Sequence, residues 1–211
     1  TVVGGCIVDS GKFDWSVGGR YPELTTPDDS YHGVVYTESF GPAAYVTKAR
    51  VQMLRDMGNT MSPMAAFLLN LGLETLALRM ERHCANALAV AKFLSTHECV
   101  DWVDYPLLEG NAQYDLAKKY LPKGACGVIS VGIKGGRAAA TKFLDNLKLL
   151  NIVVHVADAR SCALHPASTT HRQLTEEQLN ACGVKPEQVR LSIGIENIED
   201  ILADLDQALR A

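Results

Sequence analysis

One arginine set inside an apolar alternation constrains this chain more than any other feature. Val189, Leu191 and Ile193 alternate with Arg190, Ser192 and Gly194, the period of a strand with one apolar and one polar face. An unpaired charge in mid-strand is costly to bury. Its guanidinium is a planar fork of donors suited to a carboxylate or a phosphate. Arg190 is therefore the leading candidate ligand residue. The alternative is an arginine at a sheet edge that reaches solvent or an internal aspartate.

The elements around that strand alternate between strand and helix after Pro106. Residues 128–133 read as a strand, and Gly135-Gly136 as the interruption after it. Ala140, Phe143, Leu147 and Leu150 line a helix, and residues 153–156 read as a second strand. Thr175-Glu176-Glu177-Gln178 is a capping box, with Gly183 as the stop of a short helix. Asn197 opens a last helix that buries Ile198, Ile201, Leu205 and Leu209. This part reads as a small α+β or α/β domain.

Further upstream, Leu69, Leu73, Leu76, Met80, Cys84, Ala87, Ala91 and Leu94 recur at steps of three and four. That spacing predicts one long helix from a start near Ser62-Pro63, with Glu74, Arg82, Asn86 and Lys92 on its opposite face. Residues 9–45 are rich in Gly, Pro, Asp, Ser and Tyr and read as a long excursion of a functional or interface-forming kind. Residues 2–8 read as a short buried strand. The opening, with no methionine, reads as that of a fragment or a processed chain.

Composition removes several classes. With 47% hydrophobic residues and a formal net charge of −4, the chain is too apolar and too weakly charged for disorder. It lacks the clustered lysines and arginines that nucleic-acid phosphates require. No apolar run approaches the roughly 20 residues of a membrane span. The cysteines (6, 84, 99, 126, 162 and 182) lie far apart with no CxxC pair, which reads as reduced thiols of a cytosolic protein.

The polar run 161–171 follows an apolar segment and holds most of the remaining candidates. Cys162, His165 and His171 fit no standard zinc spacing and lack a fourth ligand, so no metal is expected. Ser161, His155 and Asp158 have the residue types of a hydrolase triad without its GxSxG elbow. Hydroxyls and backbone N–H groups lining an anion site are the more natural reading. Residues 132–136 match neither phosphate-binding glycine pattern and read as a turn. Met53, Met57, Met61 and Met64 read as packing residues. Thr1 has the chemistry of an N-terminal nucleophile, but the long helix speaks against the strand-rich sandwich that such hydrolases need.

Six stretches, in order along the chain, resemble the PLP-dependent enzymes of cysteine and methionine metabolism. They are residues 4–15, 30–36 with Tyr31-His32-Gly33, 40–45 with Phe40-Gly41-Pro42-Ala43-Ala44, 78–83, 164–171 and 189–196. Within that family they are most similar to the O-acetylhomoserine sulfhydrylase branch. The resemblance implies an α/β fold, the C-terminal part of a fold-type-I (aspartate aminotransferase-like) transferase. Residues 1–75 would be the end of the large PLP-binding domain with the interface excursion and the start of a bridging helix. Residues 76–211 would be the smaller α+β domain.

The resemblance also implies pyridoxal 5'-phosphate as cofactor, with its Schiff-base lysine upstream of the position of Thr1. No catalytic residue is then expected in this chain, and its cofactor-binding residues are unassigned. Arg190 would pair with the substrate α-carboxylate and Ser161 would help to hold it, whereas His165 and His171 would be structural. The implied reaction is γ-replacement of O-acetyl-L-homoserine by sulfide or a thiol, giving homocysteine and acetate in methionine and cysteine biosynthesis. The implied enzyme is a cytoplasmic homo-oligomer, a tetramer, that needs its N-terminal half. Two readings stand beside this one: a related γ-lyase or cystathionine γ-synthase, and a non-catalytic truncated chain that oligomerises.

Overall fold

The apolar alternation around Arg190 is realised as the middle strand of a five-stranded sheet. The structure, a computed structural model, describes residues 2–211. Thr1, the one candidate nucleophile at the terminus, lies outside the described residues. The chain divides into two units, the first ending at Glu74 and the second spanning Thr75–Ala211.

The first unit consists mostly of short helical turns. They are α1 (Pro22–Thr25), α2 (Tyr36–Phe40), α3 (Ala44–Lys48), a π-helical segment Ala49–Leu54, and α4 (Arg55–Met57). The excursion read from the sequence is therefore structured, and aromatic packing explains why. The Trp15 ring stacks on Tyr45 at 5.1 Å and meets Phe13 and Tyr21 edge-on, beside a small core of Leu24, Tyr36 and Ala44. Asp28 ties the turns together. Its carboxylate accepts from Lys48 Nζ at 2.7 Å, Gln52 Nε2 at 2.8 Å and the Ser30 hydroxyl at 2.7 Å. The Lys48 ammonium, hydrogen-bonded to it, holds the Asp28 carboxyl well below the usual carboxylate range.

Two expectations fail in this unit. Residues 2–8 form no strand, and Val3 and Val8 are almost fully exposed. An apolar run alone does not make a strand, because a strand needs a ladder partner for its backbone. The long helix is instead two: α5 (Pro63–Glu74) and α6 (Leu76–Ser95), separated at Thr75. On α5 only Ala65 is buried, and Met64, Phe67, Leu71 and Leu73 are exposed, as are Met53 and Met57 before it.

The second unit is a two-layer domain. Strands β1 (Val100–Asp104), β2 (Val128–Ile133), β3 (Asn151–Ile152), β4 (Cys162–Leu164) and β5 (Gln188–Ser192) lie in the order β1-β2-β5-β4-β3. Pairing is antiparallel except between β3 and β4. The helices are α6, α7 (Tyr114–Tyr120), α8 (Gly136–Asp145), α9 (Glu176–Ala181) and α10 (Ile198–Leu209). Of these, α6, α8 and α10 cover one face of the sheet.

The core between the layers joins Val90 and Leu94 of α6, Phe143 and Leu144 of α8, and Ile201 and Leu205 of α10 to Ile129, Val131, Val189 and Leu191 of the sheet. Each such side chain, fully buried, contributes about 1.5–3 kcal/mol. Thr175 and Gln178 form the capping box of α9, and the Asn197 side chain caps α10, as their sequence signals predict. Residues 153–156 are a correction: the strand is the two-residue β3 just before them, and Val154 and Val156 lie exposed in a loop. Asn86 is another. Placed on the polar side of the helix by its chemistry, it is buried, and its amide donates to the carbonyls of Gly194 and Glu196.

Candidate functional site

Alternation along β5 divides its side chains between two environments. Val189 and Leu191 face the helices, so Gln188, Arg190 and Ser192 face the other way. Arg190 is paired on both sides, with Ser130 of β2 and Leu164 of β4 as its register partners. It is thus mounted on a fully hydrogen-bonded central strand, not at a sheet edge. A rigid mount of this kind limits how far its head group can wander.

The loop 153–161, between β3 and β4, forms the wall beside this arginine. Arg190 Nη2 donates to the Val154 carbonyl at 2.8 Å. That single bond orients the guanidinium and leaves four of its five N–H donors for another partner. Ser192 accepts the Ala157 N–H at 3.0 Å, and the Ala159 carbonyl accepts the Ile195 N–H at 2.9 Å. Ala157 itself has φ of 58°, left-handed for a residue with a Cβ. Arg160 donates to Asp158, and this hydrogen bonding pulls the Asp158 carboxyl down to about 2.

Ser161 closes the loop and is fully buried. Its hydroxyl donates to Glu196 Oε2 at 2.9 Å and accepts the Gly194 N–H at 2.8 Å, while its own N–H donates to Glu196 Oε1 at 2.6 Å. The structure thus places Ser161 and Arg190 on neighbouring segments, with the Ser161 hydroxyl turned to Gly194 and Glu196. Gly194 leaves no room for a side chain: a Cβ there would overlap the Ala159 carbonyl oxygen and the Glu196 carboxylate.

The other candidate groups do not assemble. With Ser161 held by Glu196 and Asp158 by Arg160, no Ser161–His155–Asp158 triad forms. The Cys162 thiol donates to the Arg160 carbonyl, and burial pushes its pKa up. His165 lies between the Pro186 carbonyl and the Ser168 hydroxyl, each 2.8 Å away. Its Nε2 must carry the proton to meet the carbonyl, so Nδ1 accepts from Ser168. The His171 ring meets the hydroxyl of its neighbour Thr170. Among the described residues no three metal-binding side chains converge, and no helix is long and apolar enough to cross a membrane.

Glu196, Ser192 and the Val154 carbonyl were not singled out from the sequence. Ser192 had a signal, since it follows Arg190 by two along a strand. Glu196 closes the resembling stretch 189–196, but nothing local marks its partner, because it meets Ser161 only through the fold.

The donor set also bears on the cofactor. One guanidinium with spare donors fits a carboxylate. Pyridoxal phosphate needs more than such a fork, an amine for its aldehyde and a cradle for its ring. The Lys48, Lys134 and Lys185 ammoniums are directed at Asp28, the Glu98 carbonyl and the Trp102 ring.

A model of the Cys/Met metabolism PLP-dependent enzymes matches residues 1–210. The chain belongs to that family. The homocysteine synthase of Schizosaccharomyces pombe is 50% identical over 210 residues, covering 99% of this chain and 49% of that protein. An O-acetyl-L-homoserine sulfhydrylase of Thermus thermophilus is 48% identical over 208 residues, again covering 99% of this chain and 49% of its own length. A crystal structure of a Campylobacter jejuni protein assigned as an O-acetylhomoserine (thiol)-lyase superposes with a TM-score of 0.85 at 40% identity. That match covers 93% of this chain and 46% of the other, which carries N'-pyridoxyl-lysine-5'-monophosphate. The fold is thus that of a family of PLP-dependent enzymes, and the chain spans about half the length of the curated relatives it matches.

Proposed function

We propose that this chain is the C-terminal part of a PLP-dependent O-acetylhomoserine sulfhydrylase and that it supplies the clamp for the substrate α-carboxylate. The observation that carries this reading is Arg190: a permanent cation on the central strand, with one bond to the Val154 carbonyl and the rest of its donor fork open. A carboxylate meeting that fork makes two parallel charge-assisted hydrogen bonds, which set the orientation of the amino acid as well as hold it. Ser161 enters through what it anchors, the root of the loop whose Val154 carbonyl orients Arg190.

The remainder of the enzyme supplies the Schiff-base lysine and the cofactor cradle, and the cofactor, when bound, serves as the electron sink. The net reaction is replacement of the acetoxy group of O-acetyl-L-homoserine by sulfide or a thiol, giving homocysteine and acetate. The names of the relatives support that choice of substrate. The same reading makes the enzyme a homo-oligomer, a tetramer, and its free thiols favour a cytoplasmic setting.

The test is made in the full-length enzyme, where Arg190→Ala is expected to raise the KM for O-acetyl-L-homoserine about 100-fold. That corresponds to losing about 3 kcal/mol, the scale of hydrogen bonds to a charged group. The absorbance of bound cofactor is expected to be retained. An unchanged KM would remove the carboxylate role. Release of 2-oxobutanoate and ammonia without added sulfide would move the assignment to a γ-lyase.

A further inference from the structure

We infer that Glu196 is the positioning residue for the substrate clamp, acting on Arg190 through the loop 153–161. This inference rests on the reading of Arg190 as the carboxylate ligand. Glu196 holds one residue with both carboxylate oxygens, Oε1 on the Ser161 N–H and Oε2 on the Ser161 hydroxyl. A two-point grip on a single residue fixes direction as well as distance.

The grip is mounted on a rigid base. The carbonyls of Ile193, Gly194 and Glu196 accept from His83 Nδ1 at 2.6 Å and from Asn86 Nδ2 at 3.1 and 3.0 Å, so buried side chains of α6 fix the segment that carries the carboxylate. From that base the loop is strapped to β5 and its extension at four successive points. Ser161 is held by Glu196, the Ala159 carbonyl by Ile195, the Ala157 N–H by Ser192, and the Val154 carbonyl by Arg190 itself. Glu196 anchors the root of this series and Arg190 ends it. The absence of a side chain at Gly194 lets the two strips of backbone lie this close.

A carboxylate that only stabilised the fold would change stability and leave the substrate fork alone. One that positions the fork must lose its effect when the fork is gone. In the full-length holoenzyme, Glu196→Ala is expected to lower kcat/KM for O-acetyl-L-homoserine about tenfold, mainly through KM. In the Arg190→Ala background the same change is expected to cost less than twofold, since two residues acting as one unit are not additive. Hydrogen exchange should quicken about tenfold at the amides of Ala157 and Ser161 in Glu196→Ala, with the β5 amides unchanged. Glu196→Gln, which keeps the shape and one acceptor, should recover most of the KM.

Equal losses in both backgrounds, or an unchanged KM with a lowered Tm, would overturn the inference. Should Glu196→Ala fail to fold, Ser161→Ala removes the hydroxyl half of the grip and must show the same dependence on Arg190. An Arg190→Ala enzyme with normal KM would count against the carboxylate reading itself. A normal KM in Glu196→Ala beside a raised one in Arg190→Ala counts against Glu196 alone.

Discussion

Replacing Asp204 tests whether the helical layer is fastened to the sheet as the structure describes. This buried residue of α10 accepts the backbone N–H groups of Lys148, Leu149 and Leu150 at 2.8, 2.9 and 3.1 Å, and Gln207 Nε2 at 2.9 Å. Residues 148–150 lead directly into β3. In Asp204→Ala all four bonds go. Lys148 and Leu149 are exposed and their N–H groups can turn to water, but the N–H of buried Leu150 is left stranded. A bond to a charged acceptor is worth about 1.5–3 kcal/mol and a stranded buried donor costs about 1–3 kcal/mol. Allowing for rehydration of the two exposed groups, the loss is about 3 kcal/mol. Asp204→Asn keeps one acceptor oxygen, so about half that loss is expected.

The assay is a urea titration of the purified protein, where the midpoint should fall while the slope is unchanged. On heating, about 3 kcal/mol corresponds to a Tm lowered by about 6–12 °C in a chain of this size. An alanine variant within about 0.5 kcal/mol of the parent, the range of an ordinary surface substitution, would refute the reasoning. So would an asparagine variant less stable than the alanine one.

Two further perturbations test local features. Ala157→Gly relieves a left-handed backbone that costs a residue with a Cβ about 1–2 kcal/mol. After the extra freedom of glycine in the unfolded chain, it should raise stability by about 0.5 kcal/mol, and a lowered Tm would show that the loop is not strained there. Asp28 should titrate by NMR below the ordinary aspartate value of about 3.9, and Lys48→Met should bring it back toward that value. A depressed carboxylate contributes stability above its unfolded pKa and loses it as pH falls through the folded one, so the variant should give up resistance on the acid side. An Asp28 that titrates normally in the parent would reject the assignment.

What the sequence disclosed, and what it hid, follows from which interactions are local. The capping box at Thr175, the cap at Asn197 and the alternation around Arg190 are written within a few residues of one another, and all three were legible. The β4 strand was hidden because Cys162, Ala163 and Leu164 are all buried, so no alternation marks them. Residues 2–8 misled in the opposite sense, being apolar without a ladder partner among the described residues. In the long apolar stripe Ala87, Ala91 and Leu94 of α6 are buried as the period predicts, whereas Leu69, Leu73 and Leu76 are exposed, and the helix breaks at Thr75, three residues after Gly72. At the site, Arg190 was visible because its charge contradicts its neighbours. Glu196 contradicts nothing nearby, and its partner Ser161 lies 35 positions away.

The close approach at Gly194 also limits how this protein can change over time. Every single-nucleotide change in a glycine codon that alters the residue either adds at least a Cβ or ends the chain. At this position a Cβ falls on the Ala159 carbonyl oxygen and the Glu196 carboxylate. No small step leads away from glycine here unless the loop moves first, and the loop cannot move without disturbing Ser161. Arg160, exposed on that same loop and bonded among the described residues only to nearby Asp158 and Cys162, is under no such restriction. Drift and constraint thus lie one peptide bond apart, the free position at 160 and its tethered neighbour at 161.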